Sequence, residues 1–195
     1  MVTKAASSVT SDSAVLNGTV NPNGSPGYVY AFYGTSATSL NSNCYAGQVA
    51  ATHTTQSFGC AVGDLQPNTT YYFAIVFEDT NNGVYTSGST LSFLVPLPKL
   101  VTKAATSITS DSAVLNGTVD PNGPPGYVYV YYGTSATSLN SNCYAEQVAT
   151  TYATQPFGCT AGDLQPNTKY YFAIVFEDTN NGVYTYGDVR AFATF

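Results

Sequence analysis

The sequence has no tryptophan, one methionine and one histidine among its 195 residues, and charged side chains make up only 8% of it. Five basic residues against eleven acidic ones leave a net charge of −6. The chain therefore lacks the basic patch that nucleic-acid binding needs. No apolar run is long enough to span a bilayer, so membrane insertion is not expected either.

The sequence also lacks residues arranged for catalysis or metal binding. His53 is the lone histidine, and Tyr152 stands at the matching position of an internal repeat, so a Ser-His or Cys-His device is not expected. Glu78 and Asp79 are adjacent on a predicted strand, where neighbouring side chains diverge, so they are not a glycosidase pair. Without CxxC spacing or further histidines, zinc binding is not expected. We predict no catalytic residue, metal site or cofactor, and hence no enzyme.

What the sequence does contain is a duplication. Val2 to Pro96 repeats as Val101 to Phe195 at a constant offset, with about 22 differences over 95 positions. A repeat of this length is a typical small domain. We therefore predict a first domain over residues 1–96, a Pro-rich linker over 97–100 and a second, near-identical domain over 101–195.

The four cysteines recur with the repeat, as Cys44 and Cys60 and again as Cys143 and Cys159. Pairing within each domain is the simplest of the three connectivities, and free core thiols are the alternative. A disulfide closing a loop of this length contributes about 3 kcal/mol in the chain-entropy model. Disulfides predict an oxidising compartment, so we expect an extracellular or cell-surface protein.

The most regular stretch runs from Leu65 to Asp79 and again from Leu164 to Asp178. It begins with a Pro-Asn turn and continues as a run of aromatic and β-branched residues, which predicts a strand. Its two faces differ in polarity, because alternate side chains point in opposite directions. The predicted inner residues are Tyr71, Phe73, Ile75 and Phe77, and the predicted outer residues are Tyr72, Ala74, Val76 and Glu78.

This stretch resembles the fibronectin type III family, whose Leu-x-Pro-x-Thr-x-Tyr signature leads into its sixth strand. The matching residues are Leu65, Pro67, Thr69 and Tyr71, and Leu164, Pro166, Thr168 and Tyr170. The family's strand B tryptophan is absent, and Gly18 and Gly117 stand near its place, as bacterial extracellular members often have it. The resemblance implies an all-β protein of two tandem fibronectin type III-like (immunoglobulin-like) antiparallel β-sandwiches. It also implies a tyrosine corner, in which the tyrosine hydroxyl bonds to nearby backbone.

The remaining strands of the first domain follow from turn signals and alternation. The predicted strands A, B, C, C′, E and G cover Thr3 to Val9, Ala14 to Val20, Tyr28 to Tyr33, Cys44 to Ala51, Thr54 to Val62 and Val84 to Val95. Strand G is expected to break near Gly88.

Aromatic residues on the outer sides of strands C and F form the most informative surface. On strand C, Val29, Ala31 and Tyr33 are predicted to point inward. The residues that alternate with them, Tyr28, Tyr30 and Phe32, then point outward beside strand F. The predicted interface consists of Tyr28, Tyr30, Phe32 and Tyr72, and of Tyr127, Tyr129, Tyr131 and Tyr171. Rings of this size in a row exceed the apolar patches of ordinary monomers. Loops covering the rings, a register shifted by one residue and stacking against sugars remain alternatives.

Asn-x-Ser/Thr triplets mark candidate N-glycosylation sites, although such triplets also arise by chance. They begin at Asn17, Asn23, Asn68 and Asn116. The protein is accordingly a candidate glycoprotein.

Near-identical domains, low charge, disulfides and outward tyrosines favour a structural function. We expect a self-assembling, non-catalytic subunit of an extracellular filament, fibril or cell-surface fibre, with the chain itself as partner in a homopolymer. The alternative is a spacer, or a carbohydrate- or protein-binding module, cut from a larger secreted enzyme or adhesin. Glycans are a further partner class in that case.

Overall fold

The computed structural model describes residues 1–195, and every regular element in it is a β-strand. The chain divides into two compact units, Met1–Pro96 and Leu97–Phe195. Each unit contains one three-stranded and one five-stranded antiparallel sheet. The protein is therefore all-β, with two tandem β-sandwich units.

The first unit contains eight strands. They are β1 (Val2–Ser7), β2 (Ala14–Val20), β3 (Gly27–Gly34), β4 (Ser42–Val49), β5 (Gln56–Val62), β6 (Thr70–Asp79), β7 (Val84–Ser87) and β8 (Leu91–Leu94). The three-stranded sheet has the order β1-β2-β5. The five-stranded sheet has the order β4-β3-β6-β7, and β8 also pairs with β6.

The second unit repeats this arrangement. Its strands are β9 (Lys99–Thr102), β10 (Ala113–Asp120), β11 (Gly126–Gly133), β12 (Ser141–Val148), β13 (Gln155–Ala161), β14 (Lys169–Asp178), β15 (Tyr184–Tyr186) and β16 (Arg190–Ala193). The orders are β13-β10-β9 and β12-β11-β14-β15, with β16 also paired with β14. Strand β9 begins at Lys99, within the segment that the sequence assigned to the linker.

The predicted break in strand G is confirmed, since β7 and β8 are separate strands on either side of Gly88. Strand β1 explains the break. The Ile75 N–H donates to the Thr3 hydroxyl at 3.2 Å, while the Gly88 N–H donates to the Ile75 carbonyl at 2.9 Å. A side chain at position 88 would collide with Thr3, so only glycine lets the two strands approach so closely.

Burial confirms the inward residues predicted for the central strands, but Ala74, predicted on the outer side, is also buried. On β6, Tyr71, Phe73, Ile75 and Phe77 belong to the core of the first unit, and Val29 and Ala31 on β3 are fully buried. The equivalent residues Tyr170, Phe172, Ile174 and Phe176 form the core of the second unit.

The missing tryptophan of strand B also has a structural explanation. A Cβ at Gly18 would overlap Cγ1 of Ile75 and lie 2.7 Å from the carbonyl oxygen of Val2. The side chain of Ile75 thus fills the space that a larger residue on β2 would need. The same relation holds between Gly117 and Ile174.

Two local features predicted from the sequence are present in both units. The Tyr71 hydroxyl accepts a hydrogen bond from the Gln66 N–H at 3.2 Å, and the Tyr170 hydroxyl accepts one from Gln165 at 2.9 Å, which confirms the tyrosine corner.

The disulfides Cys44–Cys60 and Cys143–Cys159 form, with Cα atoms 6.2 and 6.1 Å apart, and no cysteine is free. Free thiols, the alternative, are therefore wrong. Each disulfide joins an edge strand of the five-stranded sheet to a strand of the three-stranded sheet.

Candidate binding face

Each five-stranded sheet turns one side toward its core and the other toward solvent. The structure brings the predicted aromatic residues of β3 and β6 together on the solvent side, and adds residues of β4 and β7. We call this side the first outer face; it carries Tyr28, Tyr30, Phe32, Tyr45, Tyr72, Val76, Glu78 and Tyr85. The second outer face carries Tyr127, Tyr129, Tyr131, Tyr144, Tyr171, Val175, Glu177, Tyr184 and Tyr186.

Sequence reasoning missed the tyrosines contributed by the neighbouring strands. Tyr45 pairs with Tyr30 and is 56% exposed, but a bulge in β4 interrupts the alternation that would have revealed its direction. Tyr85 pairs with Glu78 and is 59% exposed. Tyr85 comes two residues after the glycine of the Asn-Gly turn, and this position in the hairpin could have predicted that it pairs with strand F.

The rings of the first outer face pack edge to face against one another. Ring centroids of Tyr28 and Tyr30 lie 6.2 and 5.8 Å from that of Tyr45, each with an interplanar angle of 61°. Tyr30 and Phe32 meet at 6.3 Å and 67°. Such pairs each contribute about 0.5–1.5 kcal/mol beyond the area they bury. The second outer face has the same arrangement around Tyr144.

This packing corrects the premise behind the expected self-burial. Tyr28, Tyr30, Phe32 and Tyr72 are half-buried within a single unit, so they are not a row of fully wet rings. The outer face is already partly covered by its own tyrosines. Burial of these rings against another copy of the chain stays a prediction.

A carboxylate lies within each cluster of rings. The Tyr30 hydroxyl donates to Oε2 of Glu78 at 3.3 Å, and Tyr85 lies opposite Glu78 on the neighbouring strand. Burial, followed by the charge of Glu78, raises the pKa of Tyr30, and the hydrogen bond to Glu78 is the main cause of the raised pKa of Tyr85. Both hydroxyls therefore remain protonated donors at neutral pH.

The second unit has the same arrangement around Glu177. The hydrogen bond to this carboxylate is the main cause that raises the pKa of Tyr184 to about 12. The pKa of Tyr129 is also raised, by burial first and then by the charge of Glu177. Tyr184 thus lies beside Glu177 as Tyr85 lies beside Glu78.

No basic side chain neutralises these carboxylates. Lys4 is the only lysine or arginine of the first unit, and it lies on β1 of the opposite sheet from Glu78. In the second unit Lys169 is eight residues before Glu177 on β14, about 26 Å along an extended strand. Its ammonium lies over the Tyr171 ring, 5.0 Å from the centroid.

The two outer faces differ at one place. In the first unit an apolar groove of about 340 Å³ is lined by Phe32, Val76, Tyr85, Thr86 and Ser87. In the second unit Tyr186 replaces Ser87 and pairs with Val175, which is fully buried while Val76 is only half-buried. The groove is therefore specific to the first outer face.

The candidate glycosylation sites fall into two groups. The side-chain amide nitrogen of Asn17 donates to the Ala5 carbonyl, the Ser7 hydroxyl and the Val15 carbonyl, and that of Asn116 makes the same three bonds. A sugar on this nitrogen would disrupt them. Asn23 and Asn68 are exposed, with φ of 50° and 54°. Glycosylation of all four stays a prediction.

Elsewhere, His53 is exposed beside Gly24. No three His, Cys, Asp or Glu side chains come together in a way that could hold a metal ion. The structure contains no helix of the length and apolarity that crossing a membrane requires.

No protein-family model and no curated protein matches the chain. Among solved structures, it is similar to two forms of the sensor domain of the anti-sigma factor RsgI4 from Pseudobacteroides cellulosolvens. The long form is 20% identical, with 51% of this chain and 90% of that chain covered and a TM-score of 0.38. The short form is 22% identical, with 52% and 97% covered and a TM-score of 0.41.

Each match spans about half of this chain, a length close to that of one unit. At this identity and TM-score, the likeness says nothing about what this chain binds. Both matched structures are described as sensor domains and neither as a filament subunit. The expectation of a self-assembling filament or fibre subunit is therefore corrected.

Proposed function

We propose that this chain is a non-catalytic extracellular binding protein whose two fibronectin type III-like units each bind a partner protein through the outer face. The signature residues and the tyrosine corner support the fibronectin type III-like assignment. The two disulfides support an oxidising, extracellular or cell-surface location.

The observation that carries the proposal is the concentration of tyrosine on one side of each unit. The first outer face holds five tyrosines and the second holds seven, which is twelve of the 17 in the chain. Tyrosine is enriched in protein interfaces because its ring is apolar while its hydroxyl stays hydrated or hydrogen-bonded. The face is about 20 Å by 26 Å, from strand spacing and rise, which suits a small specific interface.

Ring orientation favours a protein over a polysaccharide as partner. Neighbouring rings on the two faces are inclined at 55° to 67°, so they do not present one flat surface along which a sugar chain could stack. An uneven surface of rings, hydroxyls and one carboxylate is better matched by protein side chains of varied shape. Tyrosines of this kind are frequent among the residues that dominate binding energy.

The test is selection of a random peptide library against the disulfide-bonded chain, followed by calorimetry of the enriched peptides. We expect Tyr30→Ser combined with Tyr129→Ser to weaken binding about 30-fold, the effect of losing a dominant interface residue. Tyr152→Ser is the matched control, since Tyr152 is 66% exposed but lies outside both outer faces. It should leave affinity within about twofold, as a surface change away from the contact.

Two outcomes would contradict the proposal. One is that no enriched peptide depends on the outer-face tyrosines. The other is that soluble polysaccharides retard the chain in affinity electrophoresis and the double variant abolishes the retardation, which would assign the face to glycans. Self-association through the outer faces remains a separate prediction, and sedimentation velocity over a range of concentrations tests it.

A further inference from the structure

The carboxylates of Glu78 and Glu177 are the only charged groups at the centre of each outer face. We infer that each one receives an arginine side chain of the partner protein, held between tyrosine rings. This inference rests on the proposed function and names the chemistry of the partner.

The first step concerns charge. Each carboxylate is half-buried, and tyrosines lie opposite it on both neighbouring strands. The Tyr30 hydroxyl donates to Glu78. A carboxylate removed further from water by a partner would be costly unless that partner supplied a compensating charge. The chain offers no lysine or arginine near either glutamate, and its net charge of −6 attracts cationic partners over a distance. A cation on the partner is the complement that both carboxylates lack.

The second step concerns the number of hydrogen bonds. A carboxylate has about four lone-pair positions. The Tyr30 hydroxyl occupies one of them at Glu78, at 3.3 Å. Tyr85 and Tyr184 lie opposite Glu78 and Glu177 on the neighbouring strands. Acceptor positions therefore remain on each carboxylate. A guanidinium, with two parallel N–H groups, fills two positions at once.

The third step distinguishes arginine from lysine. Tyrosine rings of three neighbouring strands flank Glu78, namely Tyr30, Tyr45 and Tyr85. A planar guanidinium stacks on such rings while it binds a carboxylate in bidentate fashion, whereas an ammonium is a strongly hydrated point charge. The surroundings of both glutamates therefore match arginine better.

The fourth step concerns the difference between the units. Tyr85 borders both the Glu78 cluster and the apolar groove of the first unit. An apolar residue near the arginine in the partner's chain can enter this groove. Tyr186 occupies the corresponding place in the second unit, so we expect the first unit to bind an arginine-containing peptide more tightly.

The experiment is an NMR titration of the full chain with ¹³C-labelled tyrosine rings. The probes are three amino acids whose backbone amino and carboxyl groups are blocked, so that only the side chain can carry a charge. These are N-acetyl-arginine amide, N-acetyl-lysine amide and N-acetyl-citrulline amide, the last an uncharged analogue of arginine. We expect saturable shifts of Tyr30, Tyr85, Tyr129 and Tyr184 with the arginine probe in the millimolar range. Tyr71 and Tyr170, which face the cores, should not shift. The lysine probe should bind at least threefold more weakly, and the citrulline probe should not saturate.

Glu78→Gln provides the decisive variant, because the second unit of the same molecule serves as its control. The variant should abolish the shifts of Tyr30 and Tyr85 and leave those of Tyr129 and Tyr184 unchanged. Glu177→Gln should do the reverse. Glu146→Gln removes one charge from the same sheet without touching either cluster, and it should change neither set of shifts.

The inference is overturned if citrulline or lysine binds as well as arginine, or if Glu78→Gln leaves the Tyr30 shift intact. Should Glu78→Gln unfold the first unit, the probe comparison on the unmodified chain still decides. Selected peptides that depend on the outer-face tyrosines but carry no arginine would refute this inference alone. The proposed function would then stand.

Discussion

Removing one disulfide tests how the sandwich is held together at its edge. Cys44→Ala with Cys60→Ala opens a loop whose ends are 16 residues apart. In the chain-entropy model, cross-linking such a loop lowers the entropy of the unfolded state by an amount equivalent to about 3 kcal/mol at 25 °C. The first unit should lose about that much stability.

Alanine is the better replacement, because Cys60 is buried in the core and a serine hydroxyl there would need a hydrogen-bond partner. The disulfide connects β4 to β5, two strands of different sheets between which no backbone ladder runs. Its loss should therefore loosen the contact between the sheets rather than a strand pair.

Hydrogen exchange followed by mass spectrometry resolves the two units through peptides that include residue 70 or 169, or residue 87 or 186, because residues 71–86 and 170–185 are identical. Core amides of β6 that exchange through global unfolding should do so roughly 100-fold faster in the variant. Amides of β14 in the untouched second unit are the control and should keep their rates. Cys143→Ala with Cys159→Ala should produce the reverse pattern.

Less than tenfold acceleration in β6 would refute the reasoning about loop entropy. Equal acceleration in β6 and β14 would refute the assumption that the units unfold independently. The exchange rates of β6 and β14 amides in the one variant distinguish these two outcomes.

Three further predictions concern single residues. Tyr71→Phe removes the hydroxyl that accepts a hydrogen bond from the Gln66 N–H. It should lower the stability of the first unit to urea unfolding by about 1 kcal/mol. An unchanged unfolding midpoint would contradict a stabilising role of the tyrosine corner. Gly18→Ala should lower the free energy of unfolding by about 1–3 kcal/mol, because the added Cβ would overlap Ile75. Gly63→Ala is the control and should be neutral, since a Cβ there meets nothing within 4 Å. Equal losses of stability would contradict the close approach of Gly18 to Ile75. Absorbance titration should show a tyrosine ionising with a pKa of about 12 that disappears in Tyr184→Phe. Folding raises the pKa of Tyr184, so the stability that this shift contributes is complete below the unfolded pKa of about 10. That contribution is lost as the pH rises from about 10 to 12. A normal titration of all exposed tyrosines would contradict the hydrogen bond to Glu177.

Much of the fold could be predicted from the sequence because strands with one buried face have a period of two. Ala14 to Val20 is observed with the predicted bounds, and the inward residues of β3 and β6 are those expected. The ends of other strands shifted, since Ser42 begins β4 and Gln56 begins β5. Strand ends depend on which backbone groups find partners across the sheet, and that is a tertiary property.

The candidate site was only half predictable. Alternation on one strand placed Tyr30 and Tyr72 outward, but it did not reveal which strand lies beside them or in which register. The bulge in β4 brings Tyr45 against Tyr30, and the hairpin brings Tyr85 against Glu78. These contacts join residues 15 and seven positions apart in sequence, and they changed the interpretation of the face from wet rings to a partly self-covered cluster around a carboxylate.

The sequence by itself determined the duplication, because repeated spacing is read directly from it. It favoured the disulfide pairing as the simplest of three and the inward face of each central strand by alternation, and its resemblance to the fibronectin type III family implied the all-β fold. The tertiary structure alone decided that a glutamate in each unit lies between tyrosines of two neighbouring strands. It alone decided that Ser87 leaves a groove open where Tyr186 closes it. The physical reason is that charge compensation and surface shape depend on which strands become neighbours, and strand neighbours are set by the packing of the whole sandwich.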